Sequence, residues 1–284
     1  MKRIDELMKE AGEFLESERV SEPYREARLL MGHSVSRDSA FLRAHPEYVP
    51  SELEYRTFRE VIQRRGKHEP FQHIVGFQEF YGLRFEVGPD VLIPRPETEL
   101  LVEESLKLLE AHKKPHILEI GTGSGCIAIS ILKNNPDATA DATDISGPSV
   151  KIAQVNSESL EVSSRLNLFE SDLYQAVPAG RRYDLIVTNP PYVPARHLEG
   201  LQPEVRDFEP RHALTDGAEG LDISRALIAE APEFLRSSGY FLIEYGLGQL
   251  EKIVEMFDPD IWSSVETKSD LQSIPRIAVS RLRN

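Results

Sequence analysis

Cysteine is almost absent from this chain: Cys126 is the only one in 284 residues. A single thiol excludes an internal disulfide and a cysteine-rich zinc site, and it fits a reducing compartment. Long apolar runs are absent too, none approaching the roughly 18 residues that a membrane span requires. The first residues, "MKRIDELMKEAGEFL", lack the unbroken apolar core of a secretory signal, so a cytoplasmic protein is expected. Positive charge is scarce as well, with 33 Lys and Arg against 47 Asp and Glu and a formal net charge of -14. The deficit is uneven: residues 1–75 hold 13 basic and 14 acidic side chains, and the remainder 20 and 33. A protein whose main partner was duplex DNA would show a basic face, because phosphate neutralisation dominates that affinity. The eight histidines form no cluster with metal-ligand spacing, so no metal is expected.

What is present divides into three parts. From Ile4 to about Arg65 apolar residues recur at helical spacing, with Ser21 and Ser51 placed to cap helices, so residues 1–75 are expected to form a small helical domain. "FQEFYGLRFEV", from Phe77 to Val87, changes the period to two and carries Tyr81-Gly82 where a hairpin can turn; residues 76–96 read as a hairpin linker. Beyond "IPRPETELLVEESLKLLEAH", an extended segment leading into a helix, strands and helices alternate through residues 97–284. The strands are "HILEI" from His116, "ATDI" from Ala142, "LNLFE" from Leu166, "DLIVT" from Asp184 and "GYFLIEY" from Gly239. Such alternation implies an α/β domain with a doubly wound, mostly parallel sheet, in which ligands bind at the carboxyl ends of the strands.

The residues with chemical promise stand at those ends. "LEIGTGSGCIA" places Gly121, Thr122, Gly123, Ser124 and Gly125 between a strand and an apolar helix, where glycine lets the backbone turn sharply and approach a ligand. The spacing is G-x-G-x-G and not the dinucleotide fingerprint, and no Lys or Arg stands in the turn to meet a pyrophosphate. Asp144, 23 residues beyond Gly121, can accept hydrogen bonds from both hydroxyls of a ribose. Glu119 offers an acceptor for an ammonium group, and in "SDLY" Asp172 can take an adenine amino group while Leu173 covers the ring. Together these suit S-adenosylmethionine better than a nucleotide diphosphate.

"IVTNPPYVPA", Ile186 to Ala195, ends the fourth strand. Asn189 and Pro190 each precede a proline and are held extended. Neither Pro190 nor Pro191 has an N–H, so the segment presents the Asn189 side-chain oxygen and the Pro190 carbonyl as neighbouring acceptors. Two acceptors side by side suit a planar NH2 group, on which Tyr192 could stack. Acidic "RPETE", Arg95 to Glu99, reads either as a helix start or as a closure of the cofactor pocket, and Cys126 as packing behind the glycine turn.

"NPPY" after a "GTGSG" strand resembles the amino-methyltransferases. "PRPETE" (Pro94 to Glu99), "GFQEFYG" (Gly76 to Gly82) and "PEVRDFEPRHAL" (Pro203 to Leu214) narrow the likeness to the HemK-type protein-(glutamine-N5) methyltransferases of peptide chain release factors, over residues 1 to about 250. Glu119 stands where that family usually has aspartate, and "SIPRIAVSRL" matches its closing hairpin loosely. The resemblance implies a Rossmann-like catalytic domain, a helical domain that helps recognise the release factor, and S-adenosylmethionine as cofactor. Its substrate would be the glutamine of a Gly-Gly-Gln loop. Asn189, Pro190, Pro191 and Tyr192 would be the catalytic residues. Glu119, Gly121, Thr122, Gly123, Ser124, Gly125, Asp144, Asp172, Leu173 and Asn189 would bind cofactor. A monomer with no direct nucleic-acid or membrane partner is expected. The alternatives are glutamine methylation of a ribosomal protein and adenine-N6 methylation of nucleic acid, which would present the same kind of NH2.

Overall fold

In the computed structural model, which describes residues 2–284, helical periodicity gives helices over the first part of the chain: α1 (Ile4–Ser17), α2 (Pro23–Val35), α3 (Ser39–Ala44), α4 (Glu52–Gly66) and α5 (Phe71–Val75). The longer helices α1, α2 and α4 turn an apolar stripe inward, on α1 Ile4, Leu7, Ala11 and Leu15, spaced by three or four residues, and the short α3 and α5 add Leu42 and Ile74. Ser51 caps α4 through a reciprocal box with Glu54, a device worth about 1 kcal/mol. Ser21 does not cap α2. Pro23 opens that helix, which makes Glu22 the cap residue, in a left-handed conformation. The unit takes in residues up to 76 and, from much later in the chain, 202–208. Arg65 is buried within it and pairs with Glu26 and Glu204.

The second unit comprises residues 77–201 and 209–284. It opens with the hairpin β1 (Phe77–Phe80) and β2 (Leu83–Glu86), turned by Tyr81 and Gly82, both at positive φ as a primed two-residue turn requires. A 3-10 turn at Pro96–Thr98 leads into α6 (Glu99–Leu109). There follow β3 (His116–Ile120), α7 (Cys126–Asn134), β4 (Thr139–Asp144), α8 (Gly147–Ser159), β5 (Leu166–Glu170) and β6 (Tyr183–Thr188). Next come α9 (Pro203–Phe208, in the helical unit), α10 (Arg211–Leu214), α11 (Asp222–Glu230), β7 (Leu235–Glu244), α12 (Leu250–Glu255), β8 (Glu266–Ser269) and β9 (Pro275–Arg281).

The main sheet runs β5-β4-β3-β6-β7-β9-β8 among the described residues, parallel through β7 and antiparallel at β9 and β8. The fold is the expected doubly wound, mostly parallel sheet. Its central strands are buried on both faces: in β6, Leu185 and Val187 enter one core and Ile186 the other, and α7, between sheet and helices, is buried from Cys126 to Leu132. Winding proceeds outward from β3 to β5 and then resumes at β6, on the other side of β3. This switch point opens a crevice beyond the strand ends. Three strands differ from expectation, β6 only by beginning one residue early at Tyr183. β4 begins at Thr139 and stops at Asp144, leaving Ile145 outside, and β7 begins at Leu235 with a register shift in its pairing to β6. "SIPRIAVSRL" supplies β9, which pairs antiparallel with β7 from Tyr240↔Arg281 to Glu244↔Ile277.

Candidate active site

A cavity of about 340 Å³ lies at the carboxyl ends of β3, β4, β5 and β6. One wall is built by the backbone. The N–H groups of Gly121 and Thr122 both donate to the Thr143 carbonyl, at 2.8 and 2.9 Å, which ties the turn after β3 to the end of β4. Gly121, Gly123 and Gly125 all have positive φ, the geometry for which glycine is needed here. Asp144 accepts from the Gly123 N–H at 2.8 Å and the Ser146 N–H at 2.9 Å, so a carboxylate stands fixed beside the turn. Burial holds its pKa above the ordinary value, against the pull of those two N–H groups and of His212. Asn156, buried on α8, donates to the carbonyls of Ser124 and Glu86 and accepts from the Glu86 N–H, binding the hairpin to the same turn.

Asn189, Pro190 and Pro191 form another part of the wall, and side chains that do not themselves line the cavity hold them from behind. Asn189 follows β6, and its Nδ2 donates to Thr98 Oγ1 at 3.1 Å; Thr98 Oγ1 donates in turn to Glu244 Oε2 at 2.8 Å. Tyr192 donates its hydroxyl to Glu244 Oε1 at 3.2 Å. Glu244, at the end of β7, is 2 % exposed, and burial pushes its pKa up to about 7 while the two hydroxyl donors and Arg276 draw it back. Gln249 secures the loop by donating to the Tyr192 carbonyl at 2.9 Å. Gly220 passes so close that a Cβ there would lie 2.1 Å from the Tyr192 carbonyl oxygen, so only glycine fits. Val193 N–H donates to Leu214 at 2.8 Å, and Arg95 grips the buried Glu209 with one nitrogen at 2.6 and 2.7 Å from its two oxygens.

Of the residues singled out in the sequence, the cavity brings together Gly121, Gly123, Asp144, Asp172, Leu173, Asn189, Pro190 and Pro191. Glu119, Thr122, Ser124, Gly125 and Tyr192 do not line it. Glu119 points beneath the turn, fully buried, where its Oε2 accepts from Thr122 Oγ1 at 2.7 Å and the Ala128 N–H at 3.1 Å. Its other oxygen has no partner among the described residues, and burial raises its pKa to about 8. Tyr192 is turned away by its bond to Glu244, so the expected stacking surface is not on the wall. Ile145 was missed: read as the last residue of a strand, it lies past the strand's end, 61 % exposed on the cavity wall beside Asp144. Thr98, Glu244 and Gln249 were missed as well.

The wall carries Asp144, Asp172, Asp216 and Asp222, with His212 the basic side chain among the described residues and neither Lys nor Arg. A cavity so charged repels a polyphosphate and suits a ligand carrying positive charge and an apolar ring, with a buried carboxylate for hydroxyls and exposed Ile145 for the ring. The site therefore fits S-adenosylmethionine. Among the described residues no cluster of His, Cys, Asp or Glu is arranged to hold a metal ion, and no helix is long and apolar enough to cross a membrane.

Known proteins match the same parts. The PrmC N-terminal domain family matches residues 6–76 and the methyltransferase small domain family residues 96–201. A release factor glutamine methyltransferase of Koribacter versatilis is 40% identical over 267 residues, 94% of this chain and 94% of that protein. One of Geobacter sulfurreducens is 43% identical over 228 residues, 79% of this chain and 77% of that protein. Among solved structures, the 16S rRNA N2 G1207 methyltransferase of T. thermophilus, in complex with AdoMet and guanosine, is 20% identical with a TM-score of 0.53, covering 73% of this chain and 50% of that one. At that identity the likeness is one of fold.

Proposed function

The chain belongs to the release factor glutamine methyltransferases, and from that premise we propose that Asn189 and Pro190 hold the substrate amide while Asp144, Asp172, Leu173 and Ile145 hold the cofactor. It is an S-adenosylmethionine-dependent enzyme that methylates a glutamine side chain of peptide chain release factors. The observation that carries the assignment of roles is one cavity whose two walls meet at the switch point, with the glycine turn and Asp144 on one and Asn189-Pro190 on the other.

S-adenosylmethionine, when bound, supplies a methyl group on a positively charged sulfur. Glutamine supplies a poor nucleophile, because the amide lone pair is delocalised into the carbonyl. Position must compensate. Asn189 Oδ1 and the Pro190 carbonyl each accept one N–H of the amide, which fixes the nitrogen's face toward the methyl group and stabilises the positive charge growing on nitrogen. Among the described residues neither acceptor has a donor of its own. Charge develops against the end of β6, which is buried from Tyr183 to Thr188, where such dipoles act more strongly than in open water. The methylated nitrogen is acidic and gives its proton to solvent water, so no strong base is needed. In this reading Asp144 takes the ribose hydroxyls, Asp172 the adenine amino group, and Ile145 and Leu173 the faces of the ring; that all four line one cavity supports it.

The helical unit, residues 2–76 with 202–208, selects the release factor in this reading, because a Gly-Gly-Gln loop offers far less than the roughly 800 Å² per partner of a specific protein contact. The enzyme works as a cytoplasmic monomer without direct contact to nucleic acid, which its acidic balance supports. Transfer of labelled methyl from S-adenosylmethionine to release factor, to ribosomal protein and to DNA tests the assignment. Label is expected in the glutamine of the release factor. Label in either other substrate at a comparable rate would overturn it.

A further inference from the structure

The Asn189 amide does not choose its own orientation. An ionised carboxylate only accepts hydrogen bonds, and a threonine hydroxyl has a single proton to give. With Thr98 Oγ1 at 2.8 Å from Glu244 Oε2, that proton goes to Glu244. Thr98 Oγ1 can then only accept from Asn189, at 3.1 Å, so the NH2 end of the amide faces Thr98 and the oxygen end faces away from it. Tyr192 closes the set from the loop side by donating to the other oxygen of Glu244. We propose that Glu244 and Thr98 are positioning residues for methyl transfer: the carboxylate, acting through the Thr98 hydroxyl, fixes Asn189 with its oxygen toward the substrate amide. This rests on the reading of Asn189 as the acceptor for that amide.

The arrangement is directional and can be reversed. A protonated Glu244 can donate to Thr98 Oγ1, which frees the threonine proton to point at Asn189. The Asn189 amide then turns over and presents NH2 where the substrate's own NH2 needs an acceptor. Two donors facing each other cannot hold the substrate. The groups around Glu244 set when this occurs: Arg276 on β9 favours the ionised form, Glu97 from the 3-10 turn opposes it, Tyr192 donates to it, and Cys126 at the start of α7 stays a neutral thiol. Burial sets the balance near neutrality, with the Glu244 pKa pushed up to about 7.

The test uses full-length enzyme, intact release factor and saturating S-adenosylmethionine, with kcat measured from pH 6 to 8.5. Wild-type kcat should rise through this range along an acid limb that Glu244→Gln abolishes. Thr98→Val should lower kcat by about tenfold or more, and Thr98→Ser should restore it to within about threefold, as expected for one positioning hydroxyl. The calorimetric affinity for S-adenosylmethionine should stay within about twofold in all three variants. An acid limb that persists in Glu244→Gln, or a Thr98→Val enzyme with wild-type kcat, overturns the proposal. Asn189→Ala separates the two levels. If it remains active, the acceptor reading itself fails; if it is inactive while Thr98→Val and Glu244→Gln behave as wild type, only the positioning role fails.

Discussion

The two walls of the cavity are held by different means. Around the glycine turn the two carboxylates bond within 21 positions, Asp144 accepting from residues 21 and 2 positions away and Glu119 from residues 3 and 9 positions away, with the Asn156 side chain, 32 positions from Ser124, as the long-range tie. Three of those four donors are backbone N–H groups. Around Asn189 the bonds are between side chains far apart: 146 positions separate Thr98 from Glu244, 91 separate Asn189 from Thr98, and 52 separate Tyr192 from Glu244. A wall made of backbone is rigid and insensitive to most single substitutions that spare its glycines and its carboxylate. A wall made of side chains depends on each member in turn. The first suits a cofactor whose shape is constant, and the second suits a nitrogen that must be aimed.

The largest effect should come from the aimed wall. Asn189→Ala is expected to lower kcat by on the order of a hundredfold or more while leaving S-adenosylmethionine affinity unchanged, since it removes one of two acceptors on the reacting nitrogen. Next is the cofactor wall. Asp144→Ala should weaken S-adenosylmethionine binding by about 2 to 3 kcal/mol, the effect of taking a charged acceptor from buried hydroxyls, and calorimetry showing unchanged affinity would remove Asp144 from the site.

What could be read from the sequence follows the same division. Gly121, Gly123, Asp144, Asp172 and Leu173 stand within a few residues of their strand ends, so the alternation of strands and helices was enough to place them together. Asn189 was legible because the two prolines after it restrict the backbone, a local effect. Thr98 and Glu244 were not, because their partners lie on other elements and only the folded sheet brings β7 beside β6 and the 3-10 turn above it. "PRPETE" carries the family likeness and "RPETE" within it reads by its acidic charges, whereas its threonine is what Asn189 donates to. Glu119 stands before the turn, which reads as a ligand contact; in the fold it lies behind the cavity wall, where its Oε2 accepts from Thr122 and Ala128. Ile145 was counted into its strand, and the strand's end is decided by pairing with Glu170, which stops at Asp144.

Two smaller effects sharpen the contrast. Gln249→Ala removes the clamp on the Tyr192 carbonyl, so kcat should fall by about tenfold with little change in cofactor affinity; a change in affinity alone would place Gln249 with the wrong wall. Glu119→Gln should act on stability and not on aim. The folded-state pKa of Glu119 is raised to about 8, so below the ordinary carboxylate range it adds nothing to the pH dependence, and as pH rises toward 8 the unfolded chain ionises while the folded one keeps its proton. Stability is lost over that window. The wild type should therefore lose at least about 1 kcal/mol more than Glu119→Gln between pH 5 and pH 8 in urea unfolding. Glu244 has the same sign but is present in both proteins, so the difference reports Glu119. Parallel curves would show that Glu119 ionises freely where it is.

The division of labour between the walls is tested most directly by kcat on intact release factor, measured at S-adenosylmethionine concentrations that saturate each variant, for Asp144→Ala and Asn189→Ala side by side. Saturation should restore Asp144→Ala to within about threefold of wild type, because a binding contact is compensated by concentration, and should leave Asn189→Ala depressed by about a hundredfold or more. Recovery of Asn189→Ala by cofactor alone, or failure of Asp144→Ala to recover, would contradict it.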